Sequence, residues 1–243
     1  MKGKLFTLGL VLCVAPLLAG CALLPEVSIT GSGNVVTREE TITGFDKVDV
    51  SHAFTAEISQ GEAFSVVIRI DDNLAQYLEV VKRGSTLKIG LKPGRPYSIR
   101  NATMDAEVTM PELTGLDLSG ASHGTITGFK STKALDLDLS GASHLQGDIE
   151  AGNVSFDLSG ASHVTLSGSA QDVTIDASGA SSVDLDGFPV NDANVEASGA
   201  SNVTVNASGK LDVNASGASH VYYLGSPTLG KLDTSGASSI NRK

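Results

Sequence analysis

The chain of 243 residues has no Trp, four Tyr and two Cys. Each shortage closes off a possibility. The lack of Trp removes the best aromatic platform for sugars and cations. Cys13 and Cys21 both lie near the start, so the sequence beyond them holds no disulfide and must be stabilised by packing alone. Basic side chains are scarce too: 17 Lys and Arg stand against 27 Asp and Glu. Without residues 1–20, which carry two lysines and no acid, the balance is 15 to 27, a formal charge of −12. Such a surface repels phosphate backbones, which excludes nucleic acid as a partner, and repels anionic lipid headgroups equally.

The long apolar stretch, Leu5 to Leu18, follows Lys2 and Lys4 and ends in Leu18-Ala19-Gly20-Cys21. A charged start, a short apolar run and small residues at the end make a secretory signal, too short and wrongly flanked for a membrane span. The Cys directly after Leu-Ala-Gly resembles the lipobox of bacterial lipoproteins. That resemblance implies cleavage between Gly20 and Cys21, acylation of Cys21 and a membrane tie through the lipid. Ala22 rather than Asp after the Cys implies sorting to the outer membrane, on its periplasmic or surface face. Residues 1–20 then form the signal peptide and residues 21–30 the lipidated tether.

What the chain has in abundance is one word. Ser-Gly-Ala-Ser begins at Ser119, Ser140, Ser159, Ser178, Ser198, Ser216 and Ser235, in steps of 21, 19, 19, 20, 18 and 19 residues. A corner that returns at this period marks a solenoid. Before each corner stands an alternating trio: Leu116-Asp117-Leu118, Leu137-Asp138-Leu139, Phe156-Asp157-Leu158, Ile175-Asp176-Ala177, Val195-Glu196-Ala197, Val213-Asn214-Ala215 and Leu232-Asp233-Thr234. Strand side chains alternate faces, so the outer members point inward and the middle one outward. Gly120, Gly141, Gly160, Gly179, Gly199, Gly217 and Gly236 supply the corner with a left-handed residue, and the Ala beside each is expected to fit inside the bend. A second short strand follows, as in Val164-Thr165-Leu166, and a second glycine turn at Gly168 or Gly187 is expected to close the coil. No amphipathic helical run fits between the glycines. The expected fold is all-β, a parallel β-helix whose coils stack about 4.8 Å apart.

Residues 31–112 are β-rich without the short repeat, and residues 113–243 carry it; together they form one domain, 31–243. Alternation is clear in Ser65-Val66-Val67-Ile68-Arg69-Ile70 and Thr86-Leu87-Lys88-Ile89. Leu74-Ala75-Gln76-Tyr77-Leu78 reads as one helical turn or a bulging loop.

Stacking places like residues in files. Asp117, Asp138, Asp157, Asp176, Glu196 and Asp233 form an acidic ladder, with Asn214 in the same file. Full charges about 4.8 Å apart repel by roughly 1 kcal/mol in water and several at an effective dielectric of about 20. Solvation and hydrogen bonds from corner serines and backbone N–H groups would offset this; the alternative is a bound Ca²⁺. His123, His144, His163, Ser182, Asn202, His220 and Ser239 form a second file. It breaks too often for a closed zinc site and reads as an exposed stacking ladder. No metal or other cofactor is assigned. Ser, His and Asp recur in each unit, whereas a catalytic triad is a single constellation. No Arg lies between Asn101 and Asn241, so the repeats lack the guanidinium expected of a polysaccharide lyase.

The order of motifs carries a family resemblance. Gly31-Ser32-Gly33-Asn34-Val35-Val36, Gly44-Phe45-Asp46-Lys47-Val48, Asp71-Asp72-Asn73-Leu74, Thr86-Leu87-Lys88-Ile89 and Val108-Thr109-Met110-Pro111-Glu112-Leu113, ahead of the first repeat, resemble the putative auto-transporter adhesin, head GIN domain family over residues 31–239. The resemblance implies a right-handed parallel β-helix with the N-terminal part continuous with the stack. It also implies an exported, often lipid-anchored envelope protein with no catalytic residues to carry over. The expected role is a non-catalytic envelope module that binds a glycan or protein through a repetitive polar face and adds up weak contacts. The alternatives are a structural spacer or stress-linked assembly protein, with oligomerisation open, and a β-helix carbohydrate-active enzyme.

Overall fold

Period-two alternation becomes paired strands throughout the computed structural model, which describes residues 26–243. The signal segment, the Gly20–Cys21 junction and the acylation site Cys21 lie outside the described residues. Among those described, every regular element is a strand, and the strands wind as a β-solenoid of about six turns. Two long sheets of ten and eleven strands form its walls. Each coil contributes one strand to each wall. The pair Leu135–Leu139 and His144–Glu150 is typical, with the Ser-Gly-Ala-Ser corner between them.

The repeats stack in parallel and in the register expected. Leu116 pairs with Leu137, Leu137 with Phe156, Phe156 with Ile175 and Ile175 with Val195. These residues are buried, as are the third members Leu118, Leu139, Leu158, Ala177, Ala197 and Ala215, while the acids between them face out. Apolar files from both walls therefore meet in one continuous core.

The corner works differently from expectation. The glycines are left-handed, with φ between 71° and 77° from Gly120 to Gly236. The alanines, however, face outward, and the second serine of each corner points inward: Ser122, Ser143, Ser162, Ser181, Ser201 and Ser219 are each 0% exposed. The burial costs little because each hydroxyl has a local acceptor. Ser143 Oγ donates to the Ser140 carbonyl at 2.8 Å, and Ser162 Oγ to that of Ser159 at 2.9 Å. The outward alanine donates its N–H to the glycine carbonyl one coil below, as from Ala161 to Gly141 at 2.7 Å. The second bend is less regular than expected. Gly168 lies at φ 111° within the strand His163–Ser169, and Gly187 lies inside Ser182–Val190, where pairing slips between Asp184 and Pro189.

The N-terminal part continues the stack, but out of sequence order. Lys47–Val50 and Thr55–Gln60 pair in parallel with the first repeat coil. The later strands Thr86–Leu91 and Met104–Met110 slide in on their other side. Antiparallel strands then cover this end: Leu78–Arg83 on one wall, Ser65–Asp71 and Val35–Glu40 on the other. The outermost strands carry Lys82, Arg83, Arg38, Glu39 and Glu40, charges that discourage further edge pairing. Residues 72–77 form a run of turns, with Leu74 fully buried, and Leu78 opens the next strand. Val27–Thr30, in the stretch read as tether, forms a short parallel pair with Tyr97–Arg100. Its alternation of Val and Ile with Ser and Thr suits a strand.

Candidate functional site

Two outward faces carry the chemistry. On the ten-stranded wall Asp117 is in register with Asp138, then Asp157, Asp176, Glu196, Asn214 and Asp233 in turn. The file continues beyond the repeats to Asp49 and then Lys88. Corner serines do not relieve the repulsion, because their hydroxyls serve carbonyls. Instead, cations stand at the ends. Lys88 Nζ lies 2.5 Å from Asp49 and Lys231 2.8 Å from Asp233, while Lys47 pairs at 3.5 Å with Asp136, beside the file rather than in it. Desolvation in a groove of about 300 Å³, with Asp49 and Asp138 on either side, pushes the Asp117 carboxyl up to about 6 despite Lys88. Burial and neighbouring carboxylates also raise Asp138 and Asp176.

On the eleven-stranded wall, His123, His144 and His163 stack with centroids 5.0 and 4.8 Å apart and planes within 4° of parallel. The file runs on through Ser182, Asn202, His220 and Ser239, as expected. Beside the rings runs a second file, Thr125, Gln146 and Thr165, and beyond it a third, Thr127, Asp148 and Ser167. Gln146 Nε2 donates to Thr125 Oγ1 at 3.4 Å, and Ser167 Oγ to Asp148 Oδ2 at 3.2 Å. The result is a shallow trough over three rungs, about 210 Å³ beside the rings and about 440 Å³ beside the third file. Its floor offers imidazole edges, hydroxyls and an amide at the rung spacing, while the ring faces are turned toward one another in the stack. Among the described residues no group of three or more His, Cys, Asp or Glu is placed to hold a metal ion.

The sequence profile of the family described as putative auto-transporter adhesin, head GIN domain, matches residues 44–227. The chain belongs to this family. Solved structures with the head GIN-like fold include a putative adhesin from Bacteroides fragilis, 22% identical, TM-score 0.81, covering 88% of this chain and 100% of its own. A putative lipid binding protein from Parabacteroides distasonis is 21% identical, TM-score 0.72, with coverage of 89% and 99%. A putative adhesin from Parabacteroides merdae is 16% identical, TM-score 0.68, with coverage of 89% and 99%. At these identities the likeness is one of fold. The search of curated proteins gave no match.

This head GIN domain also has a residue cluster that the repeat word concealed. Val48-Asp49-Val50-Ser51-His52-Ala53 is in register with Leu116-Asp117-Leu118-Ser119-Gly120-Ala121, so His52 occupies a glycine's place. It does so at φ 62°, and Ala53 follows at φ 63°. A left-handed non-glycine residue costs on the order of 1–2 kcal/mol. Ser51 Oγ lies 2.7 Å from His52 Nδ1, and the Leu91 N–H donates to the same nitrogen at 3.4 Å. Tyr97 meets the imidazole edge-on at 5.8 Å. Burial holds His52 below the ordinary histidine value, against the opposing pull of Asp49 and Glu79. The echo of the trio and the shared Ser and Ala were the signals that could have found this corner.

Proposed function

We propose that the protein is a non-catalytic adhesion module of the bacterial envelope that binds an extended glycan along the trough of the eleven-stranded wall. The observation that carries the reading is the register of His123, His144 and His163 beside Thr125, Gln146 and Thr165. Each rung offers an imidazole edge and a second hydrogen-bonding group at a step close to that between sugar units in an extended chain. Contacts that are weak singly then add up over three rungs. The adhesin-like family supports the role at its coarse level, and the repetition of Ser, His and Asp argues against a single catalytic centre.

Envelope attachment through acylated Cys21 completes the proposal. Incorporation of labelled fatty acid that disappears in Cys21→Ala tests the anchor, and protease treatment of intact cells fixes the side it faces. For binding, the purified protein is applied to an array of envelope and host glycans. Signal that grows with glycan length and falls about tenfold or more in His144→Ala/Gln146→Ala supports the reading. A flat array overturns it in favour of a spacer. Unsaturated product from polyuronates would overturn it in favour of a lyase.

A further inference from the structure

In a repeat protein, whatever recurs in every coil is explained by stacking; a departure that strains the backbone needs another reason. The corner Ser51-His52-Ala53-Phe54 is that departure. Every Ser-Gly-Ala-Ser corner uses glycine for its left-handed residue, whereas this one uses His52 and adds Ala53 in the same region. The fourth place holds buried Phe54 instead of the buried serine. Ser119 and His123 still donate to the Val50 and Phe54 carbonyls on either side of this corner, but the alanine-to-glycine rung at the bend itself starts with Ala142 donating to Gly120. The first corner is thus set apart, and beside it opens a depression of about 450 Å³.

The lining defines a ligand class. One wall is the Tyr97 ring with Ile99, and the floor is Ala53, Gly120 and Ala121, small enough to stay flat. Polar groups are few: Ser51, Ser119 and the imidazole. With Nδ1 accepting from Leu91, the neutral ring carries its proton on Nε2. No lysine, arginine or carboxylate lines the space, so a charged headgroup would find no counterion. An aromatic wall, a flat apolar floor and hydroxyl-sized hydrogen-bonding partners suit a neutral pyranose, with C–H groups against Tyr97 and hydroxyls toward His52 and Ser119.

The geometry points to a second, non-repeating site at His52 and Tyr97 that holds one neutral sugar residue. It does not rest on glycan binding along the trough, from which it is separated by the corner itself. The imidazole is what the glycine of the repeat cannot supply, which gives the strained backbone a reason.

The test uses saturation-transfer NMR on the purified protein with methyl glycosides of glucose, galactose, mannose and N-acetylglucosamine, and of glucuronic acid as the charged control. At least one neutral glycoside should give a saturable signal, with the uronate weaker. Tyr97→Ala should weaken binding about tenfold. His52→Gly is the sharper variant, because it restores the repeat's own corner: its melting temperature should hold or rise while binding falls about tenfold. His144→Ala/Gln146→Ala should leave this signal unchanged, which separates the site from the trough. The proposal is overturned if no neutral glycoside saturates, if the uronate binds as well, if His52→Gly binds like the parent, or if the trough variant abolishes the signal.

Discussion

Asp71 accepts the Gly33 N–H at 2.8 Å through one carboxylate oxygen and the Thr103 N–H at 2.9 Å through the other, while only 1% exposed. This one side chain ties the Gly31-Ser32-Gly33 loop to the entry of the strand Met104–Met110. Ser32 Oγ adds a bond to Asp72 at 2.6 Å, and Asn73 Nδ2 donates to the Thr30 carbonyl at 2.9 Å. The two motifs that stand about 40 residues apart are therefore the halves of one clasp over the N-terminal end.

Removing the carboxylate leaves both N–H groups without their acceptor. Asp71→Ala should lose about 2–4 kcal/mol in urea unfolding. Asp71→Asn should lose less, because one acceptor oxygen survives while its amide faces a donor. A change below about 0.5 kcal/mol would mean that water replaces the carboxylate and that the clasp is incidental.

The acidic ladder makes stability depend on pH with a defined sign. Asp117 has a native pKa of about 6 against an ordinary 3.8, raised first by desolvation and then by Asp49 and Asp138. The native state thus binds this proton more tightly than the unfolded chain does. Stability is greatest with the proton on, falls as pH rises from 3.8 to about 6, and levels off above. Asp117→Asn mimics the protonated form. Its melting temperature should exceed the parent's at about pH 8, and the gap should close toward about pH 4. Lys88→Met should widen the gap, because Lys88 is the cation that holds the Asp117 value down. A gap independent of pH would show that repulsion along the file is fully screened.

Much of this was legible in the sequence. The trio spacing fixes both the period and the register, because a one-residue slip would turn every Leu outward; hence the Asp and His files follow directly. Three things were not legible. The order of Ala and Ser in the corner runs against polarity: the serine goes in because its hydroxyl reaches a carbonyl three residues back, a local bond that composition does not reveal. The insertion of Thr86–Leu91 beyond Lys47–Val50 depends on a long-range pairing choice between similar alternating strands. The His52 corner was hidden because one substitution breaks the repeat word, although Val48-Asp49-Val50-Ser51 preserves the rest.

The corner makes a prediction in which neighbouring residues behave in opposite ways. Gly160 is at φ 74°, and a Cβ there would fall onto the Gly141 carbonyl oxygen, well inside contact distance. Gly160→Ala therefore meets both the left-handed penalty and a backbone clash in a stack that cannot separate without breaking its ladder. The expected loss is about 3 kcal/mol or more. Ala161 next to it faces solvent, so Ala161→Ser should stay within about 0.5 kcal/mol. Ser162→Ala removes a buried hydroxyl and leaves the Ser159 carbonyl without that donor, for an expected loss of about 1–2 kcal/mol. The order Gly, then Ser, then Ala follows from which way each Cβ points. If Ala161→Ser proved the more damaging of the two non-glycine changes, the alanine would belong inside the bend after all.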